Sequence, residues 1–149
     1  MNKGIKLILK ENTTLDVYFS DGKVKRYDVL KLSDKFPQLL ELKNRELFLK
    51  GKLLGTSCVR WNENLDIDID TIYNEGIDVE SKYDDITNVI LGFKIKEKRI
   101  NLDLSQEELA NLAGIDQSDL SKIEKGSSNP SLKTIGKIVK SLNSRISIK

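Results

Sequence analysis

The sequence predicts an α+β chain of two domains. A small mixed α+β domain spans residues 1–83, and an all-α domain spans residues 84–149 and finishes in a short strand. Three observations predict it. In the first half, apolar residues partly alternate with polar ones around an Asp21-Gly22 turn. From Ile86 the apolar spacing becomes helical. Residues 105–131, SQEELANLAGIDQSDLSKIEKGSSNPS, read as two short helices joined by a tight turn, with a third helix starting behind them.

The elements of the first half follow in order. Ile5–Leu9 and Leu15–Phe19 are aliphatic and aromatic runs that suit strands. Asp21-Gly22 signals a two-residue hairpin, because both central positions of a type I′ turn need positive φ. Lys23–Leu30 returns as a third strand anchored by Val24, Tyr27 and Val29. Ser33 is placed to cap a helical segment containing Leu39, Leu40 and Leu42, with Pro37 in its first turn. Leu47–Leu49 and Leu53–Trp61, the latter broken by Gly55, suggest further strands, and Thr71–Glu75 a single helical turn closed near Gly76.

In Leu65–Thr71, Asp66, Asp68 and Asp70 alternate, so a continuous strand would show all three on one face. Such a face suits either a hard cation or plain solvation. Thr71 stands where a calcium loop needs its glycine, and Ile77 where it needs its bidentate glutamate. The expectation is therefore a solvated edge with Ile67 and Ile69 turned inward, and no metal.

Around Glu80–Asp85, ESKYDD, the chain turns polar, as a domain junction does. Beyond it, Ile86, Val89, Ile90, Phe93 and Ile100 fit a helical stripe, with the lysines of Lys94–Arg99 on the wet side. Ser105 is a good N-cap, and Glu108 three residues later completes a capping box. Gly114 ends the helix Gln106–Ala113 where a left-handed residue is needed. Asp116 caps the next helix, whose buried face carries Leu120 and Ile123, and Gly126 closes it. Ser131 caps a last helix with Leu132, Ile135, Ile138, Val139 and Leu142 inward. Ile146 and Ile148 alternate with polar residues in SRISIK and suggest a short strand. It would pair either across a two-fold axis or with the N-terminal sheet of the chain.

LSQEELANLAGI, LSKIEKGSSNPSL and IGKIVKSL, with Gln106, Ala110, Gly114, Ile115, Ser121, Ile123, Glu124, Gly126 and Pro130 at fixed spacing, resemble the Cro/lambda-repressor-type (XRE) helix-turn-helix family over residues 86–148. The first half resembles a small bacterial domain family of unknown function over residues 3–80. The matching features are YFSDGKVKRYDV, Phe36 with the leucines after it, and WNENLDIDIDTIY. Members of that family are sometimes fused to a DNA-binding domain.

The helix-turn-helix resemblance implies roles that also make physical sense. Gln117, Ser118, Ser121 and Lys122 would face base edges in the major groove. Gln pairs with adenine, Lys reaches guanine, and Ser bonds either way. Gln106, Lys125, Ser127, Ser128 and Asn129 would hold phosphates. Arg99 and Glu124 match positions that form a structural ion pair. Asp119 runs against this pattern, since a carboxylate repels phosphate. It would face away, accept from cytosine N4, or weaken non-specific binding.

Composition narrows the functions further. There is no histidine and one cysteine, Cys58, so Cys–His and Ser–His nucleophilic systems and intrachain disulfides are excluded. No phosphate-cradling Gly-rich loop is present, so an enzyme is not expected, nor a cofactor. Residues 1–83 hold 14 Lys and Arg against 14 Asp and Glu, and residues 84–149 hold 11 against 9. DNA binding would thus rest on where charges sit rather than on bulk charge. No apolar run is long enough for a membrane span, and MNKGIKLILKEN lacks the apolar core of a signal peptide, so a cytoplasmic protein is expected. The expectation is a sequence-specific DNA-binding regulator: a repressor, or an antitoxin-type autoregulator. It would act on double-stranded DNA as a homodimer, with a toxin or other protein as partner of the first domain. The alternative is a protein-interaction module whose helix-turn-helix domain does not bind DNA.

Overall fold

The computed structural model describes residues 2–148, apart from the side chains of Tyr83 and Asp84. The chain divides into two compact units, residues 1–81 and 82–149. The fold is α+β, with antiparallel sheets in the first unit and helices alone in the second.

In the first unit, β1 (Gly4–Leu9), β2 (Thr14–Phe19) and β3 (Val24–Asp28) form an antiparallel meander. After them come α1 (Arg45–Phe48), β4 (Lys52–Leu54), β5 (Cys58–Asn62), β6 (Leu65–Asp68), α2 (Ile69–Glu75) and β7 (Ile77–Asp78). The sheets have the orders β1-β2-β3-β7 and β4-β5-β6. Leu15, Val17, Phe19 and Tyr27 from the first meet Val59, Trp61, Leu65 and Ile67 from the second in one core, with Leu39, Leu42, Phe48 and Ile72 filling between. The Trp61 indole N–H donates to the Phe48 carbonyl at 2.9 Å, so this large ring is buried without an orphaned donor.

Four details of this unit correct the sequence reading. The turn at Asp21-Gly22 is a three-residue loop, because the Gly22 N–H donates to the Phe19 carbonyl and the Phe19 N–H to that of Lys23. Only Gly22 takes positive φ (92°), which is a type I turn closed by a bulge rather than type I′. The third strand stops at Asp28, whose carboxylate accepts from the Leu30 N–H and starts a 3-10 turn over Val29–Leu32. Ser33 ends that turn and does not cap the next one, Pro37–Lys43, which follows Phe36. Leu47–Leu49 is not a strand: the Asn44 side chain accepts from the Leu47 N–H at 3.2 Å and nucleates α1.

The aspartate run also divides. Asp66 lies on β6, but the Asp68 side chain accepts from the Asp70 N–H at 2.9 Å and opens α2, so the three carboxylates do not share one strand face. Ile67 and Ile69 point inward as expected. Among the described residues no His, Cys, Asp and Glu group of metal-site size occurs.

The second unit holds α3 (Tyr83–Asn101), α4 (Gln106–Ala113), α5 (Gln117–Glu124) and α6 (Leu132–Ser141) around Ile95, Leu109, Ala110, Ala113, Leu120, Ile123, Ile135, Ile138 and Leu142. The stripe on α3 holds from Ile86 to Phe93, with Val89 buried and Ile86, Ile90 and Phe93 half-buried, and departs from the expected one at the end of the helix. Val89, Ile95 and Arg99 are buried, while Ile100 is 53% exposed. Burying Arg99 forces this phase, since its neighbour lies about 100° round the helix. Leu132 is the first residue of α6 and stands outside the core, which begins at Ile135. The expected strand after α6 is absent, because residues 144–148 carry no ladder partner. Among the described residues, no helix is long and apolar enough to cross a membrane.

Candidate nucleic-acid interface

The site is built on α4, the turn after it, and α5. Ser105 and Glu108 make a reciprocal capping box. The Glu108 N–H donates to the Ser105 hydroxyl at 3.0 Å, and the Ser105 N–H donates to the Glu108 carboxylate at 2.7 Å. The bond from the Ser105 backbone, followed by that from its side chain, holds the Glu108 carboxyl below its ordinary value. Gly114 then takes φ +67°, and the Ile115 N–H returns to the Ala110 carbonyl at 3.0 Å. This left-handed closure reverses the chain within three residues of α5. Asp116 occupies the N-cap of α5 by backbone alone, and its carboxylate makes no capping bond.

α5 buries Leu120, Ile123 and Glu124. It leaves Gln117, Ser118 and Lys122 exposed and Ser121 half-buried. Among the described residues, none of these four side chains has a hydrogen-bond partner in the chain. A polar helix face with its donors and acceptors unspent is what base-edge recognition requires. Asp119 lines two shallow hollows, each shared with Thr134 of α6, and so occupies the α6-facing flank of the helix.

Beneath this face lies a buried ion pair. Arg99 donates to both carboxylate oxygens of Glu124, at 2.6 and 3.1 Å, and to the Leu104 carbonyl at 2.8 Å. The Gln106 amide donates to the same carboxylate at 2.8 Å. Glu124 therefore ties α3 and the first residue of α4 to α5, and fixes the angle at which the exposed face is presented.

The expected phosphate ligands are placed differently from one another. Lys125 and Asn129 are exposed. One Gln106 amide hydrogen is committed to Glu124. Ser127 sends both its N–H and its hydroxyl to the Lys122 carbonyl, at 3.0 and 3.2 Å, and so closes the end of α5. The Ser128 hydroxyl is buried without a partner, beside Asn129 and Pro130.

Sequence reasoning missed Gly92. A Cβ there would lie 2.1 Å from the Ile123 carbonyl oxygen and 3.0 Å from that of Glu124. α3 and the end of α5 thus touch backbone to backbone. The one available signal was a glycine inside a helical pattern, which costs about 1 kcal/mol and calls for a packing reason.

A capped helix, a glycine turn and a second helix with a solvated outer face, packed on α3 and α6, define a helix-turn-helix protein. Residues 95–148 match the helix-turn-helix family. An uncharacterized HTH-type transcriptional regulator of Archaeoglobus fulgidus is 42% identical over 53 residues, which cover 36% of this chain and 75% of that protein. The chain belongs to the helix-turn-helix family. Among solved structures, the restriction-modification controller protein C.AhdI of Aeromonas hydrophila shares 37% identity, covering 40% of this chain and 89% of its own, with a TM-score of 0.39. A putative DNA-binding protein of Nitrosomonas europaea shares 16% identity over 93% of this chain and 84% of its own, with a TM-score of 0.43.

Proposed function

We propose that the chain is a sequence-specific DNA-binding transcriptional repressor of the cytoplasm, working as a homodimer on an inverted repeat. Gln117, Ser118, Ser121 and Lys122 contact bases. Lys125 and Asn129 hold phosphates, joined by Gln106 through its second amide hydrogen and by Ser128 through its backbone rather than its buried hydroxyl. Ser127 contributes through the closed end of α5. The observation that carries this reading is the unspent polar face of α5, seated on a fully paired base of Arg99, Glu124 and Gln106. Membership of the helix-turn-helix family supports it. Residues 1–83 act as a separate module that takes a protein partner, as in an antitoxin that regulates its own operon. Their resemblance to a small domain family found fused to DNA-binding domains fits that role. No cofactor and no catalytic step are involved.

A second reading, a protein-interaction module without DNA affinity, draws on one observation. Asp119 is exposed on the same helix, and the unit carries only a small excess of positive charge.

Selection from random duplexes separates the two. The regulator reading expects one enriched motif, repeated in inverted orientation with half-site centres one helical turn apart, about 34 Å. The interaction-module reading expects no enriched sequence. Enrichment of a single unrepeated motif would contradict the dimer.

A further inference from the structure

α6 ends in a turn that brings the chain back beside α3. Asn143 takes φ +50°, its N–H donates to the Lys140 carbonyl at 3.0 Å, and the Ser144 N–H donates to the Val139 carbonyl at 3.0 Å. These two bonds around a left-handed residue make a Schellman closure. The Ser144 hydroxyl adds a bond to the Leu142 carbonyl at 3.1 Å. The closure sets the direction of Arg145–Ser147, which lines a hollow of about 330 Å³ together with α3 and α6.

The hollow has two kinds of wall. Leu91 and Ile95 of α3 meet Val139 and Leu142 of α6 at its floor, and Ile146 stands 57% exposed at its side. Lys94, Lys98 and Arg145 supply its charge, and among the described residues no carboxylate lines it. Lys94 and Lys98 are one turn apart on α3 and so share a face. Glu97 lies between them in sequence but is not a lining residue. Among the described residues, Lys94, Lys98 and Arg145 form no ion pair or hydrogen bond through their side chains.

Three cations around one apolar floor repel one another, and an anion placed among them relieves that repulsion. An apolar tail on the same anion would cover the floor. The volume stands at the small end for ligand sites, about 300–1,000 Å³, and a few polar groups converging on an apolar lining are the usual make-up of such sites. A second copy of the chain is a poor occupant, because apposing two such hollows would gather three cations from each without a counter-charge.

We propose that this hollow binds a small amphipathic anion, a short aliphatic chain with a carboxylate or phosphate head. The head lies among Lys94, Lys98 and Arg145, and the chain lies on Leu91, Val139 and Ile146. Arg145 and Ile146 follow α6, so the ligand ties that segment to α3. Lys98 adjoins Arg99, whose guanidinium holds Glu124 of α5, so the site lies on the helix that seats the base-contacting face. The site is independent of DNA binding by α5, and its test reads no DNA.

The full chain is titrated with octanoate and with octyl phosphate, below their micelle concentrations, and followed by calorimetry and methyl NMR. Octanol, acetate and inorganic phosphate run alongside. The expected result is saturable binding of one amphiphile per chain, with shifts at the methyls of Leu91, Val139 and Ile146. Octanol, acetate and inorganic phosphate each lack the charge or the chain, and bind more weakly by about tenfold or more. Lys98→Ala/Arg145→Ala and, separately, Ile146→Ser weaken amphiphile binding by about tenfold or more. All three positions are exposed, so these variants keep the fold, which circular dichroism checks. No saturable binding of either amphiphile overturns the site. So does binding that the variants leave unchanged, or inorganic phosphate that binds as tightly as octyl phosphate. Binding to vesicles of an anionic lipid with none to the free amphiphiles assigns the patch to a membrane surface and overturns the small-molecule site.

Discussion

Gly92→Ala is expected to destabilise the helical unit by about 3 kcal/mol or more, the upper end for overpacking, whereas Gly136→Ala should stabilise it by about 0.5–1 kcal/mol. Both glycines lie inside helices, and helix propensity alone predicts the same gain at each. Space decides the sign. Nothing lies within 4 Å of a Cβ at Gly136, while a Cβ at Gly92 would sit 2.1 Å from the Ile123 carbonyl oxygen. That oxygen belongs to the α5 backbone and has no rotamer to change, so α3 must move away from α5. Gly126 guards the same contact from the other side, where an added Cβ would meet the Val89 Cα at 2.6 Å. Thermal unfolding of both variants, followed by circular dichroism, gives the comparison. A stabilised Gly92→Ala would show that the backbone contact is not tight.

The second large effect concerns Arg99 and Glu124. Glu124→Ala should cost about 3–5 kcal/mol, because it strands a buried guanidinium. Arg99 would keep only the Leu104 carbonyl, and the Gln106 amide would lose its acceptor as well. In a unit of this size that lowers the melting temperature by more than about 10 °C. Arg99→Met with Glu124→Leu should recover most of the loss, since removing both charges leaves neither unpaired. The double-mutant cycle reads the coupling directly. Additive losses would show that the pair contributes nothing beyond its separate contacts.

What was legible in the sequence was local. The capping box at Ser105 and Glu108, the left-handed Gly114 and the buried Leu109, Leu120 and Ile123 depend on residues within one turn or one loop. In the first unit, β1, β2 and the inward Ile67 and Ile69 followed from alternation for the same reason. What failed depended on hydrogen bonds and close approaches that the apolar pattern does not show. The phase of α3 is set by the partner of Arg99, 25 residues away. Leu47 and Phe48 look like strand residues until Asn44 caps them into a helix. Gly92 carried a signal that only a neighbouring backbone could interpret.

The candidate interface combines both kinds of information. The helix-turn-helix resemblance nominated Gln117 and Lys122, and packing left them exposed on a helix whose other side is paired to α3 and α4. The central claim is that this face reads DNA. It is tested most directly by fluorescence anisotropy of the protein on duplexes tiled from the DNA upstream of its own gene, titrated with salt, beside Gln117→Ala/Lys122→Ala. The account predicts binding to one duplex that falls steeply with salt. It predicts that the double substitution weakens that binding by about 2 kcal/mol or more, roughly thirtyfold. Equal binding to every duplex, or a double variant that binds like the parent, would contradict it.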